Sequence, residues 1–209
     1  MKPYKLPLKT AKAEFIEKKS RFIGHIARVS SAEEALEFLR VIRSEHKDAN
    51  HNVYAYRIKE GNIYRHSDDG EPSGTAGMPL LDVFLKQDIY DFCCVGTRYF
   101  GGIMLGGGGL IRAYSRTASI ALEAAGIGIM REVTACRAVM PYSLYEQVKR
   151  LIAASGAHVD AEKFEVNVEM DISLPAEYVE ELGAKITELT ADSVRLEVLG
   201  SSYQVFGEQ

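Results

Sequence analysis

Alternating and helically spaced apolar positions divide the first 130 residues into strands and helices. Two alternating runs, Ala11–Ile16 and Arg21–Val29, flank a Lys18-Lys19-Ser20 turn and predict a β-hairpin. From Ser31 to His46 apolar residues recur every three or four positions behind a Ser31/Glu34 capping-box signature, which predicts a helix. The same periodicities predict, in chain order, a strand at Asn52–Ile58, a turn at Glu60-Gly61-Asn62, a short strand at Ile63–His66, a helix from Pro79 to about Gln87, a strand at Phe92–Tyr99 and a helix from Leu110 to Gly126.

The remainder of the chain follows a different order. Its patterns predict, in sequence, a strand at Glu132–Met140, a helix at Ser143–Ser155, strands at Ala157–Phe164 and Val166–Leu174, a helix opened by Pro175 and a last strand at Val194–Val205. The sum is β-α-β-β-α-β, the ferredoxin-like order. An α+β protein with a domain boundary near Gly126–Arg131 is predicted, with domains at 1–130 and 131–209.

Composition adds little to the prediction of fold class, but the net charge differs between the two predicted domains. The net charge of −4 is the sum of +3 over residues 1–130 (18 basic, 15 acidic) and −7 over residues 131–209 (7 basic, 14 acidic). Any nucleic-acid contact is therefore expected in the first half. The three cysteines suit buried free thiols in a reducing cytoplasm, with a catalytic or metal-binding thiol as the alternative. No apolar run approaches the roughly 18–20 residues of a membrane helix, so no membrane partner is expected.

The densest glycine segment lies between a predicted buried strand and a predicted helix. Residues 101–109 contain six glycines, and Arg98, Arg112 and Arg116 surround them. Such a strand–loop–helix junction can hold an anion on backbone N–H groups, or can be a tight crossover with close packing. The segment is not a nucleotide P-loop, because Gly108 and Gly109 stand where Lys and Ser/Thr are required, and Ile111 breaks the dinucleotide fingerprint.

A second candidate segment, His66 to Pro79, is polar and rich in small residues. Asp68, Asp69 and Glu71 can act as acid and base or bind a cation, but Asp-Asp-Gly is also a good turn. An ordered turn, a binding loop and a metal or catalytic centre all remain open. Because the segment offers little apolar bulk, exposed carboxylates are expected, without a tightly bound metal or a strongly raised carboxyl pKa.

A third candidate is the strand that begins near His51. Tyr54 and Tyr56 share one face of this strand, and tyrosines near arginines can stack on bases in single-strand binders. The alternative is a half-buried sheet in which the tyrosines pack on the core and His51 is a hydrogen-bonded structural residue.

Four ordered motifs resemble one known family. They are Lys18-Lys19-Ser20-Arg21-Phe22-Ile23-Gly24, His51 with Tyr54-Ala55-Tyr56, Asp68-Asp69-Gly70-Glu71-Pro72 with Gly74-Thr75-Ala76-Gly77, and Arg98-Tyr99-Phe100-Gly101-Gly102 through Leu110. Together they look like the IMPACT family, specifically its bacterial YigZ-like members. The resemblance implies an N-terminal domain similar to ribosomal protein S5 domain 2 and to domain IV of elongation factors, and a C-terminal domain similar to their domain V. It also implies association with RNA or the translation machinery, where eukaryotic members restrain a translation-initiation-factor kinase.

The resulting hypothesis is a cytoplasmic, non-catalytic protein that binds RNA, the ribosome or a ribosome-associated protein and regulates translation, without cofactor or metal. The alternatives are a small hydrolase or transferase acting on a phosphorylated or small polar substrate, and a protein–protein adaptor. The two glycine-rich segments are expected to lie side by side at one end of the first sheet. The candidate ligand- or nucleic-acid-binding residues are His51, Tyr54, Asp68, Asp69, Glu71, Ser73, Thr75, Arg98, Tyr99, Gly101, Gly102, Gly106, Gly108, Gly109, Arg112 and Arg116.

Overall fold

Ten strands and five α-helices make up the part of the chain that the computed structural model describes, residues 2–207. In chain order they are β1 Tyr4–Pro7, β2 Ala11–Glu17, β3 Ser20–Arg28, α1 Ala32–Glu45, β4 His51–Ile58, β5 Ile63–Ser67, α2 Gly77–Lys86, β6 Phe92–Tyr99, α3 Gly107–Ala125, β7 Ile127–Met140, α4 Tyr142–Ala154, β8 His158–Phe164, β9 Val168–Pro175, α5 Val179–Leu189 and β10 Leu196–Gly207. The expected α+β class is confirmed.

The chain divides into two compact units. The N-terminal unit comprises Tyr4–Ile129 with the described residues from Val205 onward, and the C-terminal unit is centred on Met130–Gln204. The first contains a five-stranded sheet of order β2-β3-β6-β4-β5 in which every pairing is antiparallel. In the other sheet, β7, β9 and β8 pair antiparallel in that order, and β1 and β10 each pair with β7.

Helices cover both faces of the first sheet, so its inner strands β3, β6 and β4 are largely buried on both sides. One face packs on α2 and α3 through a core that includes Phe22, Leu80 and Tyr114. The opposite face packs on α1 through a core that includes Leu39 and Val95. Because side chains alternate along a strand, neighbouring residues of β6 belong to different cores.

Local signals predicted most of these elements. The β2–β3 hairpin is confirmed, and both residues of its two-residue turn are left-handed, with φ of 44° at Lys18 and 64° at Lys19. Helix α1 carries the predicted cap, since Ser31 Oγ accepts a hydrogen bond from the Glu34 amide at 3.2 Å. Strand β1 was not predicted, and several boundaries differ from the prediction. The largest differences are that α3 begins at Gly107 rather than Leu110, β7 at Ile127 rather than Glu132, and α5 at Val179 rather than Pro175.

Candidate functional site

The two glycine-rich segments lie side by side at one end of the first sheet, as expected. They enclose a cleft of about 430 Å³. The residues that line it are Asn50, His51, Gly70, Glu71, Pro72, Arg98, Phe100, Met104, Leu105, Gly106, Gly107 and Leu110. One site is therefore built from the start of β4, the end of β6, the loop before α2 and the start of α3.

A buried ion pair forms the floor of this cleft. Glu71 Oε1 accepts hydrogen bonds from Arg98 Nη1 and from the Tyr114 hydroxyl, both at 2.7 Å. The Glu71 side chain is 3% exposed and that of Arg98 is 6% exposed. Burial, and then the Glu71 carboxylate, raise the pKa of Tyr114 well above its usual value, so this hydroxyl stays protonated and donates.

This floor corrects two expectations from the sequence. Glu71 is not an exposed carboxylate, because its partners come from β6 and α3, which are distant in sequence. Arg98 is not a surface cation beside Arg112 and Arg116, because it points into the core and its charge is opposed by Glu71. Arg98 Nε is buried and has no hydrogen-bond partner among residues 2–207.

His51 lies at the edge of the same floor in a defined orientation. Its Nδ1 is 2.8 Å from the Asp69 backbone oxygen, and a carbonyl only accepts, so we assign the ring hydrogen to Nδ1. The opposite ring nitrogen, Nε2, is 3.9 Å from Glu71 Oε2. The side chain of His51 is 23% exposed, so Nε2 and Oε2 meet where solvent or a ligand can reach them.

The two neighbouring aspartates stabilise the loop that carries Glu71. Asp68 accepts hydrogen bonds from the amides of Gly74, Ala76 and Gly77 and so caps the start of α2. Partial burial raises the pKa of Asp68, but these hydrogen bonds outweigh burial and leave the pKa below its usual value. Asp69, at φ of 44°, accepts from the Asn52 amide and from Arg43, each at 2.6 Å.

The six glycines of the segment at 101–109 have different physical causes. A Cβ on Gly101 would overlap the Lys19 carbonyl group, and one on Gly109 would come within 2.9 Å of Leu105 Cβ. Gly102 and Gly106 have φ of 85° and 74°. Gly107 and Gly108 are helical, and a Cβ there would meet nothing closer than 3.9 Å and 3.6 Å. The fold therefore explains four of the six glycines and leaves Gly107 and Gly108 unexplained.

Arg112 and Arg116 lie in a second, smaller groove of about 230 Å³ that shares Leu105 with the cleft. Lys18 and Phe15 also line this groove, and the Arg116 guanidinium lies 4.3 Å from the centre of the Phe15 ring. Among the described residues, none of the three cations has an ion pair, although Glu17 lies in the same groove. The groove is thus a cluster of exposed positive charge beside the start of α3.

The other candidate residues contact the loops or the opposite face of the sheet. Tyr54 stacks on Tyr56 with ring centres 6.3 Å apart. The Tyr99 hydroxyl and His46 Nδ1 share a hydrogen bond of 2.9 Å. Tyr54 and Tyr99 therefore face α1, away from the cleft. Thr75 donates a hydrogen bond to the Pro72 carbonyl, and Ser73 is exposed. Strand alternation explains this separation, because Arg98 and Tyr99 must point to opposite faces.

Sequence reasoning missed several residues of the site. Tyr114 was counted as core because it falls on the apolar face of α3, and its hydroxyl gave no signal in the sequence. Phe100 and Met104 stay 47% and 83% exposed at the mouth of the cleft. Their exposed apolar surface could not be read from the chain, since an apolar residue is ordinarily assigned to the core.

Residues 2–207 contain neither a metal-ligand cluster nor a membrane-spanning helix. No group of three or more His, Cys, Asp or Glu side chains there is placed to hold a metal ion. No helix in the same range is both long and apolar enough to cross a membrane. Cys93, Cys94 and Cys136 are buried free thiols, as predicted.

Comparison with known proteins divides the chain at a similar place. The Impact N-terminal domain family matches residues 18–122, which include the whole cleft, and a domain of unknown function (DUF1949) matches residues 139–193. The chain is 39% identical over 178 residues to the IMPACT family member YvyE of Bacillus subtilis, covering 85% of this chain and 82% of that protein. It is 31% identical over 182 residues to the IMPACT family member YigZ of Escherichia coli, covering 86% and 89%.

More distant relatives match about half of the chain. The Protein IMPACT homolog of Saccharomyces cerevisiae is 33% identical over 103 residues, which is 46% of this chain and 39% of that protein. Among solved structures, a crystal structure described as a hypothetical protein superposes with a TM-score of 0.60 at 30% identity, covering 94% of this chain and 97% of the other.

Proposed function

The chain belongs to the IMPACT family, and from that premise we propose that its N-terminal unit binds single-stranded RNA, in the setting of the ribosome and the regulation of translation. The observation that carries the proposal is the groove in which Lys18, Arg112 and Arg116 stay without carboxylate partners. Cations left unpaired in a protein of net charge −4 suit a polyanionic ligand.

The shape of the surface supports a strand rather than a small ion. The groove and the cleft share Leu105, so positive charge, a helix start and exposed apolar side chains follow one another along a continuous path. Phosphates attract the cations and the helix N-terminus, and unstacked bases need apolar or aromatic faces such as Phe100.

The finer fold assignment belongs to the same proposal. We assign the N-terminal unit to the ribosomal protein S5 domain 2-like fold. We assign the C-terminal unit to the ferredoxin-like fold, and the strand order β10-β7-β9-β8 supports the second assignment. Both folds are used by translation factors, which agrees with a partner on the ribosome.

The test is the salt dependence of RNA binding. We expect the wild-type chain to bind a fluorescent oligouridine, with affinity falling between about 50 and 200 mM salt. Arg112→Ala should weaken binding and reduce the log–log slope by about 0.7, the value for one phosphate of a single strand. Arg150→Ala, which removes an exposed arginine of the C-terminal unit, is the matched control and should change neither quantity.

Two results would contradict the proposal. One is the absence of RNA binding at low salt. The other is an Arg112→Ala variant that folds, binds as well as the wild type and keeps the full slope. Either result would leave the groove as ordinary solvated surface.

One observation favours a second candidate, a hydrolase or transferase acting on a phosphorylated or small polar substrate. His51 Nε2 and Glu71 Oε2 are 3.9 Å apart in the cleft, and the former is a potential general base. Turnover of a phosphoester that is lost in a folded His51→Gln variant would favour the enzyme. RNA that binds and remains intact favours the first proposal.

A further inference from the structure

Two hydrogen-bond acceptors face each other on the floor of the cleft. His51 keeps its hydrogen on Nδ1, bound to the Asp69 carbonyl, so Nε2 of the neutral ring presents a lone pair. Glu71 Oε2 is a carboxylate oxygen, and 3.9 Å separates the two atoms. Within residues 2–207 neither atom has a hydrogen bond, whereas the other oxygen of Glu71 accepts two. When the ring is neutral, this arrangement lacks a donor.

A hydroxyl group fits this gap in either protonation state of His51. With a neutral ring, the hydroxyl donates to Nε2 or to Oε2. With a charged ring, Nε2–H donates to the hydroxyl oxygen, and the hydroxyl donates to Glu71 Oε2. An ammonium group could donate to both atoms when the ring is neutral, but it cannot accept a hydrogen bond from the charged ring. A hydroxyl is compatible with both protonation states, and we therefore take a hydroxyl as the ligand group.

An anion site lies beside this pair. Gly106 and Gly107 line the same cleft, and the first amides of α3 have no intrahelical acceptor. Neither packing nor φ requires glycine at 107 or 108, so bare backbone there leaves room for close approach by a ligand. The positive helix start suits a phosphate. Independently, Glu71 lines the same cleft on a side chain that is 3% exposed, and its Oε2 has no hydrogen bond among the described residues. A polar atom left unbonded on a buried side chain at the cleft points to a ligand that supplies the missing partner.

A ribonucleotide carries a hydroxyl next to a phosphate, and the proposed RNA binding favours it as the ligand. We infer that the cleft holds one nucleotide of an RNA strand, with its 2′-hydroxyl between His51 Nε2 and Glu71 Oε2 and its phosphate at the start of α3. The exposed Phe100 and Met104 then flank the base. The 2′-hydroxyl is the group that distinguishes RNA from DNA. This inference rests on the proposed RNA binding and adds that the cleft, rather than the basic groove, selects RNA.

The experiment compares RNA with DNA of the same sequence. Fluorescence anisotropy with labelled U10 and dU10 at one salt concentration should show about 10- to 100-fold tighter binding of RNA, the range expected for a hydrogen bond to a charged group. His51→Ala and Glu71→Gln should each weaken RNA binding toward the DNA value and leave DNA binding unchanged. Arg112→Ala should weaken both ligands alike and preserve their ratio.

Each control separates one alternative. Glu71→Gln keeps an oxygen for Arg98 and Tyr114 but replaces the second acceptor by an NH₂ donor; if it does not fold, His51→Ala, at a partly exposed position, carries the test. Equal wild-type affinities for RNA and DNA would overturn the inference and leave the proposed RNA binding intact. So would a His51→Ala variant that weakens both ligands equally, or uridine monophosphate that competes as well as U10. No binding of either oligomer at low salt would contradict both proposals.

Discussion

Glu71 shows how one residue can be both structural and functional. One carboxylate oxygen neutralises Arg98 and accepts from Tyr114, while the other faces the cleft. Removing one partner of a buried pair leaves an uncompensated charge, which is far more costly than losing a surface pair.

Glu71→Ala is therefore expected to lower the free energy of unfolding by about 3–5 kcal/mol, because Arg98 stays buried without its counter-charge. Urea unfolding followed by circular dichroism measures the loss. Glu37→Ala, which breaks an exposed pair with Arg40, is the control and should leave the midpoint unchanged. Equal midpoints for the two variants would mean that Arg98 finds water or another partner when Glu71 is absent.

His25, on the α1 face of the sheet, predicts a pH dependence of stability. Burial, and then the neighbouring His46, lower the pKa of His25 from 6.5 to about 4. Between these values the unfolded chain binds a proton that the folded chain does not, so stability falls as the pH drops from 6.5 to 4. The full effect is about 3 kcal/mol.

The test replaces His25 by an apolar residue. Because His25 Nε2 has no hydrogen-bond partner in the described part of the chain, His25→Leu leaves no new unpaired group nearby. Urea midpoints of this variant should fall less steeply than those of the wild type between pH 6.5 and pH 4. His158→Gln, at a side chain 72% exposed, should keep the wild-type slope. An unchanged slope in His25→Leu would assign the acid sensitivity to other groups.

Single residues were the hardest features to infer from the sequence. Arg98 and Glu71 were identified as candidates, but their pairing spans 27 positions, and no local pattern reports it. Conversely, Tyr54 and Tyr99 were grouped with the site because they stand near His51 and Arg98 in sequence. Their side chains face α1 instead, since adjacent residues of a strand point to opposite sides.

Helix α3 is the element on which the site depends most. Its first turn consists of three glycines, which are poor helix formers, and its remaining residues pack on the sheet core. Its start was placed three residues late because apolar spacing begins at Leu110. The helix was readily predicted, but its glycine first turn was not, since tertiary packing of the later turns holds it in place.

Gly107→Ala tests the element directly. There is space for the methyl group, and alanine is the better helix former, so stability should rise by about 0.5–1 kcal/mol. RNA affinity should fall nonetheless, because the Cβ keeps phosphate away from the first amides of α3. Gly109→Ala, whose Cβ would press on Leu105, should instead lose stability. Higher stability with unchanged RNA affinity in Gly107→Ala would exclude phosphate from the helix start.

Other elements were predicted correctly where the signal lies in residues that are neighbours in the sequence. The α1 cap and strand β6 were correct because an N-cap signature and an apolar run are local. Strand β7 begins five residues earlier than predicted, and it contains Gly128. A Cβ at Gly128 would come within 2.5 Å of Leu8 and 2.7 Å of Val205, so this glycine serves a close approach that the strand pattern does not reveal.

At the scale of the molecule, both units contain ion pairs, but they differ in net charge. Arg137 pairs with Asp171 in the C-terminal unit, and Arg21 pairs with Glu14 in the N-terminal unit. In the groove of the N-terminal unit, Lys18 and Arg112 have no such partners among the described residues. Paired charges cancel at a distance and unpaired charges do not, so on the proposed function we expect a polyanion to be attracted to the groove and to gain little from the acidic C-terminal unit.

The hairpin turn that carries Lys18 has a consequence for engineering. Two consecutive left-handed residues normally call for Asn-Gly, and lysine adopts this conformation only at an energetic cost. Replacing Lys18-Lys19 by Asn-Gly would relax the backbone and remove charge from the groove in the same step. Selection for thermal stability would therefore favour Asn-Gly at this turn, whereas selection for ligand affinity would keep Lys18-Lys19. Stability and ligand binding thus favour different residues at the same two positions.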